Sequence, residues 1–260
     1  MRVLNLFFKH SGILLFLLAM ASACGLLQTS NDNEQEKDSK SNEDQPVHVN
    51  SPQFSGRTIP KTAQELNKVC SEVVKEYESK DIRKVKLEPK DIAPNEIELR
   101  FLAIHNSVRS RYGLKNLVWD KNIASYAQEW ANFLRDNYNC KSQHRTWLNR
   151  RDGKKYGENL AYIEFKPSFA HGYFAGSPEW ATLGWSDECK DYTYANNQCA
   201  PGEKCGHFTQ VVWKDTQKLG CGVAVCRDAL EQKEIWVCNY DPSGNITMIT
   251  NGAENKLRPF

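Results

Sequence analysis

The side chains best equipped for chemistry crowd into two stretches in the C-terminal half of this 260-residue chain. The first is Cys205-Gly206-His207-Phe208-Thr209-Gln210-Val211-Val212-Trp213. The second is Trp236-Val237-Cys238-Asn239-Tyr240-Asp241-Pro242-Ser243-Gly244-Asn245. Both are dense in groups that bind metals, form disulfides or stack. The run that announces a zinc peptidase, His-Glu-x-x-His, is absent, and so is the Gly-x-Ser-x-Gly elbow of serine hydrolases. Among the other histidines, His105 falls on a helical stripe with Phe101, Val108 and Tyr112, so it reads as a satisfied core residue. His171 lies in a Gly-rich loop beside aromatics, His48 and His10 lie outside any folded region, and none of the three is assigned a role. Asn245-Ile246-Thr247 fits a glycosylation sequon, a three-residue match of low specificity.

The elements that must position these groups follow from apolar spacing. Leu66, Val69, Cys70, Val73, Val74 and Tyr77 predict an amphipathic helix over 64–80, followed by a charged linker with Pro89 and Pro94. Asn95, with Glu98 three residues on, predicts a capped helix whose buried stripe is Ile97, Phe101, Ile104, Val108 and Tyr112 and whose end is Gly113. A second helix over 121–138 turns Ile123, Tyr126, Ala127, Trp130 and Leu134 inward. Ser177 and Pro178 start a third, expected to carry Trp185, Glu188, Cys189 and Tyr192. Runs at 208–213, 219–226 and 235–241 are β-branched and aromatic, so they predict strands. Helices first and strands later, without βαβ alternation, give an α+β class.

The N-terminus reads as a processing signal over 1–23: Arg2 and Lys9, an apolar core at 13–21, then small residues at Ala21-Ser22-Ala23. Ala21-Ser22-Ala23-Cys24 resembles a bacterial lipobox, though Ala21 stands where Leu is usual, and the same residues suit ordinary signal peptidase. Residues 28–50 carry six acids and two lysines with almost nothing to bury, so 24–60 is expected to be a disordered polar tether. Nine cysteines are an odd number. An exported chain then has one thiol left over; lipidation of Cys24 would leave eight for four bridges in an oxidising compartment. The expected location is therefore extracellular or at the cell surface, on the periplasmic side if bacterial, with membrane contact only through a lipid anchor. A net charge of +2, evenly mixed, gives no reason to expect nucleic acid as a partner.

The two dense stretches, together with His105-Asn106-Ser107-Val108-Arg109 and Gly157-Glu158-Asn159-Leu160, resemble the CAP superfamily of cysteine-rich secretory proteins, antigen 5 and plant pathogenesis-related class-1 proteins. The resemblance implies a three-layer α-β-α sandwich with a small antiparallel sheet, stapled by disulfides. It sets a domain at 95–251, a helical N-terminal extension at 61–94 and a C-terminal tail at 252–260. Cys221 and Cys226 lie an odd number of residues apart in one predicted strand, so they face opposite ways and need different partners. The pairing of plant relatives carries over as Cys140–Cys226, Cys221–Cys238 and Cys199–Cys205. Cys70 and Cys189 remain, and are expected to bond the extension to the third helix.

The same resemblance implies a cleft built from His144, Glu158, Glu188 and His207. Two imidazoles and two carboxylates suit zinc or another divalent metal, and a His–Glu network that merely orients the core is the structural alternative. No catalytic residue is assigned, and binding is favoured over catalysis. Three functions follow: binding of a small apolar, lipid- or sterol-like ligand, for which seven tryptophans offer surface; metal-assisted hydrolysis; and interaction with a protein partner at the surface, as in defence proteins. The loop 145–156, with Arg145, Arg150, Arg151, Lys154 and Lys155, reads as solvated and basic.

Overall fold

A computed structural model describes residues 58–79, 94–146, 153, 155–165, 176–227, 232–250 and 253–260. The signal segment, Cys24 and the tether as far as residue 57 lie outside the described residues, as do Trp147, Arg150, Arg151, Lys154 and His171. The elements are α1 (Ala63–Ser79), α2 (Pro94–Arg111), β1 (Val118–Trp119), α3 (Lys121–Tyr138), β2 (Gly157–Phe165) and α4 (Pro178–Asp187). A 3-10 turn (Glu188–Asp191) follows, then β3 (Tyr192–Thr193), β4 (Gln198–Cys199), α5 (Gly206–Val211), β5 (Lys218–Arg227), β6 (Gln232–Asp241), β7 (Thr247–Thr250) and β8 (Ala253–Lys256).

Strand alternation builds the layers. On β5 and β6, Leu219, Cys221, Trp236, Cys238 and Tyr240 join a core with α1, α2, α4 and α5. Ala224, Cys226, Ile235 and Val237 face the other way and pack on Ala127, Trp130, Ala131 and Leu134 of α3. The result is helix, sheet, helix, with strand order β1-β5-β6-β2. The central pairs are antiparallel, and only the two-residue β1 runs parallel to its neighbour β5.

Local chemistry sets the helix ends. Asp120 caps α3 by accepting from the backbone N–H of Asn122 and Ile123, and Asn139 ends it with φ 49°. At α2, the N–H of Leu114 reaches back to Arg109 O at 3.0 Å around Gly113, whose φ of 66° suits glycine. α3 lies so close to β5 that a Cβ on Gly220 would sit 2.1 Å from the backbone nitrogen of Ala124.

Three expectations are corrected. Residues 208–213 are not a strand, because Gly206–Val211 is a helix. Phe208, Val211 and Val212 follow i, i+3, i+4 spacing and are buried, and Glu188 accepts from the N–H groups of His207 and Phe208 at the helix start. The third helix stops at Asp187, so Glu188 and Cys189 stand on the 3-10 turn and Tyr192 in β3. Asn95 does not cap α2: Pro94 takes the first helical position, where a fixed φ and a missing N–H cost nothing. Within the C-terminal tail, the Phe260 ring packs 5.7 Å from Tyr112 and 5.4 Å from Tyr194.

Disulfides join Cys140–Cys226, Cys221–Cys238, Cys199–Cys205 and Cys70–Cys189, the last stapling α1 to the turn after α4. Cys221 and Cys238 sit directly opposite in register. Each bridge adds about 2–4 kcal/mol in the usual chain-entropy picture. Among the described residues no helix is long and apolar enough to cross a membrane.

Candidate functional site

Four different elements deliver the site. His144 stands in the extended segment after α3, four residues beyond the Cys140–Cys226 staple. Glu158 and Asn159 begin β2, which pairs along its whole length with β6. Glu188 opens the 3-10 turn, held from behind by the bridge at Cys189. His207 starts α5.

The structure sorts these side chains into two pairs. His144 Nδ1 lies 2.8 Å from Glu158 Oε1, and that oxygen also accepts from the backbone N–H of Arg145 at 3.0 Å. His207 Nδ1 lies 2.6 Å from Glu188 Oε1, while Glu188 Oε2 accepts from the N–H of His207 at 3.0 Å and of Phe208 at 3.2 Å. A carboxylate can only accept, so each imidazole carries its proton on Nδ1. In the neutral imidazole each Nε2 then keeps a lone pair. The pairs are joined by Asn159, whose amide donates to His207 O at 3.1 Å from the residue next to Glu158. Their exposures differ: the His144 side chain is 62% exposed, that of His207 26%.

Beneath the pairs runs a buried polar chain that the sequence reading did not assemble. Asn159 Nδ2 also donates to the Tyr240 hydroxyl, which donates to His105 Nε2 at 2.9 Å, and His105 Nδ1 donates to Phe101 O at 2.8 Å. His105 is thus a satisfied core histidine, and burial lowers its pKa to about 3. Arg109, also fully buried, donates to the carbonyls of Lys115, Val211, Trp213 and Thr216, fixing the end of α5. Burial draws its pKa down to about 10, which leaves it charged at neutral pH. A charged residue four positions after His105 on an otherwise apolar stripe was the available signal for this role. Trp185 donates from Nε1 to Leu160 O and lays its ring beside His207, centroids 6.3 Å apart.

Arg145 departs from the solvated loop expected of 145–156. It is buried, its guanidinium 3.8 Å from the centroid of the Tyr126 ring, and it donates to Tyr126 O. This packing holds the backbone N–H that Glu158 uses.

For a metal, the site offers two imidazole nitrogens backed by carboxylates, the arrangement that fixes tautomer and raises ligand basicity. Among the described residues no three His, Cys, Asp or Glu side chains converge as a metal cluster. By residue type, imidazole and carboxylate are ligands that a divalent ion such as zinc takes.

The model of the cysteine-rich secretory protein family, CAP, matches residues 102–240. Pathogenesis-related protein 1A1 of Solanum lycopersicum is 40% identical over 162 residues, covering 61% of this chain and 79% of the relative. Pathogenesis-related protein PR-1 of Medicago truncatula is 38% identical over 146 residues, 56% of this chain and 73% of the relative. A crystal structure of MpPR-1i, 22% identical, gives a TM-score of 0.43 and covers 63% of this chain and 98% of that one. The chain belongs to the cysteine-rich secretory protein family.

Proposed function

We propose that this protein is an exported binding module whose paired histidines hold a divalent metal ion in an open site. One observation carries the reading. Both imidazoles spend Nδ1 on a carboxylate and leave Nε2 as a lone-pair donor. His144 and His207 would be the ligands, Glu158 and Glu188 would orient them, and a bound ion would supply Lewis acidity to a ligand completing its coordination.

The reading favours binding over metal-assisted hydrolysis because each carboxylate already serves an imidazole and neighbouring backbone N–H groups, Glu188 with three hydrogen bonds and Glu158 with two, which is the work of an orienting group. Native mass spectrometry of the oxidised full chain tests the proposal. One zinc ion per molecule is expected, removed by chelator and lost in His144→Ala and in His207→Ala. No uptake, or uptake unchanged in both variants, overturns it.

A second ligand class rests on an open groove of about 520 Å³ between α2, α3 and β5, where Ile97, Trp119 and Val223 form an apolar floor beside Glu98, Lys121 and Gln128. It suits a small apolar molecule of lipid or sterol type, and a lipid mass that survives chelation in the same experiment would support it. The pathogenesis-related relatives support a defence-type role outside the cell. The four disulfides support an oxidising compartment and use every cysteine except Cys24. That pattern favours lipidation at Cys24, tested by whether Cys24→Ser releases the protein from membranes.

A further inference from the structure

The peptide unit between Gly206 and His207 is held at both ends. Its N–H, which belongs to His207, donates to Glu188 Oε2 at 3.0 Å. Its carbonyl, which belongs to Gly206, accepts from Asn245 Nδ2 at 2.8 Å. A trans peptide is planar, and its N–H and C=O point opposite ways. Two bonds from opposite sides therefore fix the tilt of the plane. The Cα of His207 lies in that plane, so the tilt sets where its side chain starts. Glu188 Oε1 then meets the ring itself at Nδ1, 2.6 Å away.

Asn245 is built into this position. Its Oδ1 accepts from the Thr209 hydroxyl at 2.6 Å, nearer than the carbonyls of Cys205 and Gly206 at 3.0 and 3.1 Å. That bond turns the amide so that Nδ2, the donor, faces Gly206 O; the flipped amide would set two acceptors against each other. The backbone of Asn245 has φ 56°, in the left-handed region that asparagine tolerates better than most residues. The turn is tied to α5 a second time by Gly244, whose N–H donates to Gln210 Oε1 at 2.8 Å. A Cβ on Gly244 would fall 2.8 Å from the Trp213 ring, so glycine is what lets the turn come this close. The Asn245-Ile246-Thr247 triplet thus begins with an asparagine whose amide is spent within the fold.

We infer that Asn245 is a positioning residue for His207, acting through the Gly206–His207 peptide against Glu188 on the other side. The inference rests on the two-imidazole metal reading for what the position serves, and on these hydrogen bonds for the clamp. The His144 side differs, since Glu158 there accepts from one backbone N–H, that of Arg145. Groups that orient a metal ligand from behind typically change metal affinity by about 10–100-fold.

Three variants of the oxidised full chain test the clamp. Asn245→Gly removes both side-chain bonds and keeps a backbone that glycine adopts freely. Asn245→Asp keeps an acceptor for Thr209 but turns a carboxylate oxygen toward Gly206 O. Thr209→Val removes the hydroxyl and leaves the bond to Gly206. Long-range ¹H–¹⁵N NMR without zinc reads the His207 Nδ1–H, and calorimetric titration with zinc reads affinity. In both Asn245 variants that proton should exchange with water about tenfold faster, while the His144 signals stay in place. Zinc should bind about tenfold more weakly in both, and Thr209→Val should change either readout less than about twofold. A lower urea midpoint with the His207 proton and zinc affinity unchanged would make Asn245 merely structural and overturn the inference. Equal losses in Thr209→Val would overturn it as well, by assigning the effect to the hydroxyl. Should the wild-type chain take up no zinc, the metal reading falls by itself. The zinc-free His207 proton then decides: faster exchange in both Asn245 variants upholds the clamp, and unchanged exchange overturns it.

Discussion

The two His–Glu pairs use the same atoms but are built to different stiffness. His207 and Glu188 sit where a helix start, a 3-10 turn and a disulfide meet, and Glu188 serves both as the partner of the imidazole and as the acceptor for the first N–H groups of α5. His144 and Glu158 join a strand to an extended segment, with the imidazole 62% exposed and one backbone N–H in support. A site made of one fixed donor and one compliant donor can close around an ion without distorting the core. It also implies that stability and binding should separate cleanly between the pairs.

That separation gives the largest expected effect. Glu188→Ala removes an acceptor from three donors at once, two of them helix-terminal N–H groups, and should cost about 2–4 kcal/mol in urea unfolding. Glu158→Ala should cost about 1–2 kcal/mol. Equal losses would show that the two carboxylates do the same structural work.

Acid should act through the stiff side. His105, under Asn159 and Tyr240 and close to the charge of Arg109, has its folded pKa lowered to about 3, against about 6.5 when unfolded. Between these values the unfolded chain binds the extra proton, so stability is full above about pH 6.5 and falls as pH drops toward 3. Urea midpoints measured across that window should decline by an amount worth roughly a few kcal/mol, and His105→Gln should flatten the part of the slope due to this residue. A slope unchanged in the variant would assign the acid response to other groups.

Smaller still is Tyr240→Phe, which breaks the link from Asn159 to His105 at a cost of about 1–2 kcal/mol. It should weaken zinc uptake severalfold through the His207 side while leaving the His144–Glu158 bond intact. The smallest effect on stability belongs to His144→Ala, within about 0.5 kcal/mol for so exposed a side chain, yet it should abolish zinc uptake. Calorimetric titration alongside unfolding would show whether the two responses part in this way.

How much of this could be read in advance depends on whether the signal was local. The stripes of α2 and α3 carry clear 3.6-residue periods, and their positions follow from sequence. So does the odd spacing of Cys221 and Cys226, which places the two sulfurs on opposite faces of β5. α5 was misread because Phe208-Thr209-Gln210-Val211-Val212-Trp213 suits either period, and what decides it is a carboxylate from another element, Glu188. β2 went unanticipated because its burial does not alternate cleanly, so its strand form comes from register with β6. His207 lies 63 positions after His144, and no spacing marks the site residues as partners. Only family resemblance grouped them. The assignment of one carboxylate to each imidazole, and the buried line from Asn159 to His105, depend on side chains that meet only in the folded chain.

Long-range ¹H–¹⁵N NMR of the histidine side chains, recorded with and without zinc, examines the proposed donor atoms directly. Neutral His144 and His207 should both show the Nδ1–H tautomer, and one equivalent of zinc should shift both Nε2 resonances while Nδ1 keeps its proton. An Nε2–H tautomer at either residue, or Nε2 signals that zinc leaves unmoved, would contradict the two-imidazole site.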